Sequence, residues 1–321
     1  MNIKYILIVL GEPYSTFSEI IGKYFIKKKK FNQKVILIGN SNLLTKQLKK
    51  LNYFFELNEI KDINEAKNNI INIINIQFNF KKVFTNISSK SNSYIKRSFD
   101  TSLKILKNRH NECILINGPV SKKTFLNKKY LGITEYLAKK TKAKNEIMLI
   151  YNEKLSVSPM TTHIPIKLVS SKISKQKIIR NIEKISFFYN KIFKKKVKIA
   201  VLGLNPHCET TDRFSEEDKI ISPSVKYLKN RELKIKGPFS ADTFFLRENI
   251  TKYDVVIGMY HDQVLTPLKT LYNFNAINIT LGLPFIRISP DHGPNSNMLG
   301  KNKSDPSSFF YAMNFIKRIN S

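Results

Sequence analysis

The chain has 321 residues, with 55 Lys+Arg against 24 Asp+Glu and a formal net charge of +31. Its 42% hydrophobic and 11% aromatic residues are enough to bury a core, which excludes wholesale disorder despite the charge. Two cysteines, Cys113 and Cys208, exclude a disulfide scaffold and fit a reducing, cytoplasmic location. No apolar run approaches the ~18 residues of a membrane-spanning helix.

The first element is Tyr5–Leu10, an apolar run behind Lys4. Glu12 and Pro13 follow with no small-residue cleavage site, so the run reads as a strand and not as a signal peptide. Val35–Ile38 reads as a second strand. Residues 70–80 are Ile-rich but broken by Asn72, Asn75 and Asn79. Ile95, Phe99, Leu103 and Leu106 fall on one helical face, with His110 at that helix's end. Cys113–Ile116 and Ile147–Tyr151 are further strands. Ser174–Phe193 is the clearest helix, because Ile178, Ile182, Ile185, Tyr189 and Ile192 draw a single apolar stripe. Ile199–Leu202 is a strand, and Ser215 to Asp218 reads S-x-x-D, a helix-opening cap. Val255–Gly258 and Ala276–Ile279 complete the strands. Near-continuous apolar strands alternating with helices imply an α/β fold with a mainly parallel sheet. The length suits two domains or one large unit, and no Gly/Ser-rich or Pro-rich linker marks a boundary.

The lysines are spread along the chain, with short runs only at Lys27–Lys30 and Lys194–Lys196. Glycine, 11 of 321, is at about half its usual share of ~7%. Lys, Asn and Ile have AT-rich codons and are over-used, so the charge reads as codon drift onto solvated faces and not as a nucleic-acid surface.

There is no G-x-G-x-x-G, no G-x-x-x-x-G-K-[ST] and no G-x-S-x-G, so the usual phosphate cradles and the nucleophile elbow are absent. Histidines are more informative. His163 stands in Thr161-Thr162-His163-Ile164-Pro165, and His207 ends Gly203-Leu204-Asn205-Pro206-His207. His261 stands in Met259-Tyr260-His261-Asp262-Gln263, and His292 in Ser289-Pro290-Asp291-His292-Gly293. The last three follow strand-like runs, and ligands bind at the carboxyl ends of strands in open α/β sheets. Imidazole is the commonest transition-metal ligand, and Asp262 is an oxygen partner for one. The spacing of His163, His207 and His261 matches no compact metal motif, so on spacing alone polar turn histidines are the favoured reading and a shared metal the alternative. Lys269, Asn278 and Arg287 follow at steps of nine, a set suited to a phosphate or carboxylate, or to plain surface charge. Cys208 beside His207 reads as a packed thiol, since sequence neighbours seldom face each other.

At these residues the chain resembles the 4-hydroxythreonine-4-phosphate dehydrogenase family of pyridoxal phosphate biosynthesis. The matching stretches begin with Gly11-Glu12-Pro13, Asn117-Gly118-Pro119-Val120-Ser121-Lys122 and Gly132-Ile133-Thr134-Glu135. They continue through the three histidine segments and Gly237-Pro238-Phe239-Ser240-Ala241-Asp242-Thr243. They end with the run from Asn278 to Arg287 and with Ser289 to Gly293. The resemblance implies a two-domain α/β/α architecture akin to isocitrate and isopropylmalate dehydrogenases, with an active-site cleft between domains. We place the first domain at 1–130 and 282–321 and the second, carrying metal and dimer contacts, at 131–281.

The resemblance also implies NAD or NADP bound without the Rossmann fingerprint, a divalent metal (Zn, Mg or Co) and a homodimer with shared active sites. Its metal ligands fall on His163, His207 and His261, and its substrate contacts on Thr134, Lys269, Asn278 and Arg287. Asp242, Asp262 and Lys269 fall at catalytic positions. The implied reaction oxidises 4-hydroxy-L-threonine 4-phosphate and decarboxylates the product to 3-amino-2-oxopropyl phosphate. A threonate or erythronate 4-phosphate is the alternative substrate, and a non-catalytic binding homologue the alternative outside the class. Two departures bear on the site. Ile133 stands where the family has a histidine, removing a bond worth ~1.5–3 kcal/mol. Tyr14 to Ser18 replace a glycine-rich turn, which on this reading has drifted while still approaching the ligand.

Overall fold

The protein is described here by a computed structural model covering residues 2–28, 30–127, 129–210, 214–291 and 293–320. The chain forms two compact units, Met1–Glu146 with Leu283–Ser321, and Ile147–Gly282. In chain order the first unit contributes β1 (Tyr5–Val9), α1 (Phe17–Phe25), β2 (Lys34–Gly39), α2 (Ser41–Lys50), β3 (Leu57–Ile60), β4 (Ile71–Asn75), α3 (Asn92–Arg109), β5 (Cys113–Asn117) and α4 (Ile133–Thr141). The second unit follows with β6 (Ile147–Tyr151), β7 (Ser156–Pro159), α5 (Lys175–Phe193), β8 (Lys198–Leu202), α6 (Ser222–Asn230), β9 (Lys234–Phe239), α7 (Ala241–Phe244), α8 (Arg247–Ile250), β10 (Val255–Gly258), α9 (His261–Tyr272) and β11 (Ile277–Leu281). The chain then returns to the first unit as β12 (Ile286–Pro290) and α10 (Ser307–Arg318). Among the described residues, no helix is long and apolar enough to cross a membrane.

In the first unit the strands run β3-β4-β2-β1-β5-β12, each pair parallel. Strands β1, β2 and β5 are buried along almost their whole length, as expected for runs covered on both faces. Strand β4 is built from the Asn-broken stretch. Asn72 lies fully buried in it, donating to the carbonyls of Val35 and Lys67 and accepting from Asn58 Nδ2 and the Lys67 amide. A polar side chain at the centre of a sheet is tolerated because every bond it left in water is replaced. Residues 131–146, assigned above to the second domain, pack with the first unit. Tyr136 and Leu137 of α4 belong to the core built around Leu7, Ile36, Phe99 and Leu115.

The turn after β1 is filled by its own side chains. Tyr14, Ser15, Thr16, Phe17 and Ser18 are all buried. Phe17 meets Phe309 of α10 edge to face at 5.7 Å, and Tyr14 meets Phe78 at 5.9 Å. These side chains fill space as core residues. Gly11 remains, at φ +71°, because a Cβ there would sit 2.4 Å from the Pro119 carbonyl oxygen.

Glu12, in the same turn, is 1% exposed. Its Oε2 accepts from Ser91 Oγ, while Oε1 has no hydrogen-bond partner among the described residues. Burial pushes its carboxyl up to about 7. The folded state therefore holds this proton more tightly than the unfolded chain. The cost is full above pH 7, where both states are ionised, and vanishes below the unfolded value near 4.5. Glu12→Gln is expected to raise unfolding stability by about 3 kcal/mol near pH 8 and to leave it nearly unchanged at pH 4, in urea titrations of both proteins.

In the second unit the order is β11-β6-β7-β10-β8-β9. Strand β6 is antiparallel to both β11 and β7, and the remaining pairs are parallel. Helix α5 starts at Ser174, whose Oγ accepts from the Lys177 amide, and ends at Lys194 in a left-handed turn. Its stripe of Ile178, Ile182, Ile185 and Tyr189 is buried, as the sequence pattern requires. Ser215 Oγ accepts from the Asp218 amide and so opens the segment before α6 as the S-x-x-D pattern indicates.

Candidate active site

Strands β7, β10, β8 and β9 lie side by side, all parallel, so their carboxyl ends form one edge of the second unit. His163 follows β7, His261 opens α9 directly after β10, His207 follows β8, and Asp242 lies in α7 after β9. Four segments spread over about a hundred residues are thus delivered to neighbouring positions by the sheet alone. His292 lies outside the described residues.

The rings of His163 and His261 are 5.7 Å apart between centroids. Two imidazoles sharing an ion at ~2.0–2.1 Å have centroids within about 6.4 Å, so this pair is compatible with a common ion. His261 Nδ1 is 2.6 Å from Asp262 Oδ1. That contact fixes the ring and leaves Nε2 for a ligand, the usual outer support of a metal-binding imidazole. His207 instead faces Asp242, with Nδ1 3.6 Å from Oδ2. His207 is held at φ 55° and Cys208 at φ 62°, so two consecutive non-glycine residues occupy the left-handed region. Among the described residues of this single chain, no three His, Cys, Asp or Glu side chains gather closely enough to hold a metal. Among the described residues, His163 pairs with His261, His261 with Asp262, and His207 with Asp242.

The first unit builds a separate cluster. Arg287 on β12 is 1% exposed. Its Nε donates to Asn117 Oδ1 at 2.7 Å and its Nη1 to Thr134 Oγ1 at 3.1 Å. Asn117 ends β5 and Thr134 lies in the first turn of α4, so two loops meet at this guanidinium. Burial pushes the Arg287 group down to about 9, with the charge of Glu135 working against the shift. It stays cationic at neutral pH. Two predicted substrate contacts, Thr134 and Arg287, are therefore neighbours. Ile133, beside them, packs its side chain against the first unit's core.

Lys269 is exposed on α9, with its ammonium 5.7 Å from the Phe274 ring. Asn278 is on β11, and its Oδ1 is buried without a hydrogen-bond partner among the described residues. Sequence reasoning missed Asn117 as a partner of Arg287. It also missed Glu217, whose buried carboxylate accepts from the Leu204 and Asn205 amides. Asn117 had a signal, since a lone amide ends an otherwise apolar strand.

A family described as Pyridoxal phosphate biosynthetic protein PdxA matches residues 31–316. A 4-hydroxythreonine-4-phosphate dehydrogenase of Sulfurihydrogenibium sp. (strain YO3AOP1) is 38% identical over 319 residues, 97% of this chain and 98% of that protein. The crystal structure of 4-hydroxythreonine-4-phosphate dehydrogenase from Klebsiella pneumoniae is similar with a TM-score of 0.83 at 26% identity, covering 99% of this chain and all of that one (100%). Isocitrate dehydrogenase from Methylococcus capsulatus is similar in fold alone, with a TM-score of 0.51 at 9% identity over 99% of this chain and 86% of that one.

Proposed function

Because the chain belongs to the pyridoxal phosphate biosynthetic protein PdxA family, we propose that it is an NAD(P)-dependent 4-hydroxythreonine-4-phosphate dehydrogenase. It oxidises the C3 hydroxyl of 4-hydroxy-L-threonine 4-phosphate, and the resulting β-keto acid loses CO2 to give 3-amino-2-oxopropyl phosphate. The observation that carries this reading is the end-to-end likeness to a dehydrogenase of that name.

Arg287 supplies a buried cation for an anionic substrate group, and burial strengthens that attraction. Thr134 and Asn117 fix the guanidinium plane. Asn278 offers an amide oxygen that a substrate donor satisfies, and Lys269 a second cation for the substrate. Asp262 orients His261, and Asp242 faces His207.

The donor chemistry at His163, His207 and His261 fits a zinc-like divalent ion, and Asp262 supports one of the three rings. When bound, such an ion supplies Lewis acidity toward a substrate hydroxyl and carbonyl. The reading includes a homodimer with shared active sites. Nicotinamide supplies the hydride acceptor. A cytoplasmic location suits the free thiols Cys113 and Cys208.

The test is NAD(P)H formation by the purified protein with 4-hydroxythreonine 4-phosphate, with threonate 4-phosphate as competitor and with or without a chelator. Turnover of the first, abolished by the chelator, is expected. Preference for the second would reassign the substrate. Ile133→His is expected to raise kcat/KM for 4-hydroxythreonine 4-phosphate by about tenfold, since a charge-assisted bond is regained. A fall on that substitution would mean that Ile133 marks a changed specificity.

A further inference from the structure

Three loops carry the three histidines, and all three are tied to one short segment, Met259 to Gln263. The amide of Met259 donates to Gln263 Oε1 at 2.7 Å. Gln263 Nε2 donates to the carbonyl of Gly203 at 2.7 Å. The side-chain amide of Gln263 therefore bridges the turn that leads into His261 and the loop that leads into His207. The carbonyl of Met259 accepts from Thr161 twice, from Oγ1 at 2.7 Å and from the amide at 3.2 Å. That second tie brings in the loop carrying His163. Met259 and Thr161 are buried, so water does not compete for the bonds between them.

The His207 loop needs holding. Its two left-handed residues carry a conformational cost that the surroundings must offset. Glu217 holds it from one side, accepting from the Leu204 and Asn205 amides at 2.6 and 2.9 Å and from Asn205 Nδ2 at 2.8 Å. Gln263 holds it from the other. The fit is close, because a Cβ on Gly203 would lie 2.6 Å from Cys208 Sγ.

We infer that Gln263 is a positioning residue that sets the His207 loop against the His261 turn, with Thr161 doing the same for the His163 loop. This rests on the reading of the three histidines as metal ligands. Gln263 touches neither substrate nor metal in this account and acts through the backbone at Met259 and Gly203. The amide is required in kind: its oxygen must accept from one loop while its nitrogen donates to the other. Glutamate keeps the first bond and places a carboxylate against a carbonyl at the second. Methionine keeps the length and loses both.

The experiment titrates the full-length wild-type protein, Gln263→Glu, Gln263→Met and Thr161→Val with Co2+ alone, following affinity and the visible absorption of the bound ion. Melting temperature without metal is recorded for each. Wild type is expected to bind. Gln263→Met is expected to bind at least tenfold more weakly, the scale seen for lost outer support of metal ligands, with an altered absorption band. Gln263→Glu is expected to lie between the two, and a mere loss of stability would move the melting temperature and not the band. If Gln263→Met does not fold, Thr161→Val carries the test, with a several-fold loss and an altered band expected. Failure of wild type to bind Co2+ would overturn the metal reading itself. Binding by wild type and by the variants with equal affinity and identical bands would overturn this inference alone.

Discussion

Replacing Arg287 by methionine is expected to cost catalysis heavily while leaving the fold intact. Arg287 is 1% exposed, and its guanidinium is held by Asn117 and Thr134. Truncating one side of a buried hydrogen-bonded charge pair typically costs ~2–5 kcal/mol. On an anionic substrate that is a fall of roughly 1.5 to 3.5 powers of ten in kcat/KM. Stability is expected to change less. Burial pushes the Arg287 group down to about 9, so removing the cation relieves a desolvation cost, while Asn117 Oδ1 and Thr134 Oγ1 lose a donor. Methionine fills much of the volume and the two effects oppose, so the melting temperature is expected to shift by only a few degrees. Steady-state kinetics and calorimetry on the same sample check both halves. A stable protein with unchanged kcat/KM would remove Arg287 from the substrate site.

Phe17→Gly is expected to be the most damaging change to the first unit. A ligand-loop reading of Tyr14 to Ser18 predicts improved substrate or cofactor binding on restoring glycine. The packing predicts the reverse. Phe17 meets Phe309 edge to face, and its ring occupies the space that a Cβ on Gly118 would enter, at 2.5 Å. Removing a buried phenyl ring costs ~3–5 kcal/mol, and glycine at a helix start adds backbone entropy. For a unit of this size the melting temperature should fall by roughly 6–20 °C. Calorimetric melting of the variant measures it, and Phe17→Leu, which keeps most of the volume, should recover more than half of the loss. An unchanged melting temperature together with a lower KM for either ligand would restore the ligand-loop reading.

How far the sequence could be read follows from which interactions are local. Helix α5 was legible because its stripe and its Ser174 cap lie within consecutive turns. Strands β1, β2 and β5 were legible because burial on both faces demands continuous apolar runs. Strand β4 was obscured by Asn72, whose burial is made possible by Asn58, Lys67 and Val35, partners that periodicity does not reveal. Strand β12 was obscured because Arg287 interrupts its apolar pattern, and that interruption is where β12 meets Asn117 and Thr134. Strand β9 was hidden by its lysines and its Gly237-Pro238 pair.

The histidine segments were found because turn residues follow strands, and the sheet order then makes their loops neighbours. Pairing within them was not legible. Nothing in the spacing says that His163 would meet His261 while His207 faced Asp242. The role of Gln263 was equally hidden, since its partner Gly203 lies sixty residues away and is recognised by a main-chain carbonyl. Glu217 gave no signal, because in a chain of exposed charges a buried carboxylate looks like any other.

The protein is expected to couple oxidation to decarboxylation of one phosphorylated amino acid. The most direct measurement follows 4-hydroxythreonine 4-phosphate labelled at its carboxyl carbon, counting labelled CO2 and NAD(P)H released by the purified protein in the same reaction. One CO2 for each NAD(P)H, both lost on addition of a chelator and both reduced in parallel in Arg287→Met, is the result predicted. NAD(P)H formed with the label retained, or no turnover of this substrate with nicotinamide cofactor and divalent metal present, would contradict it.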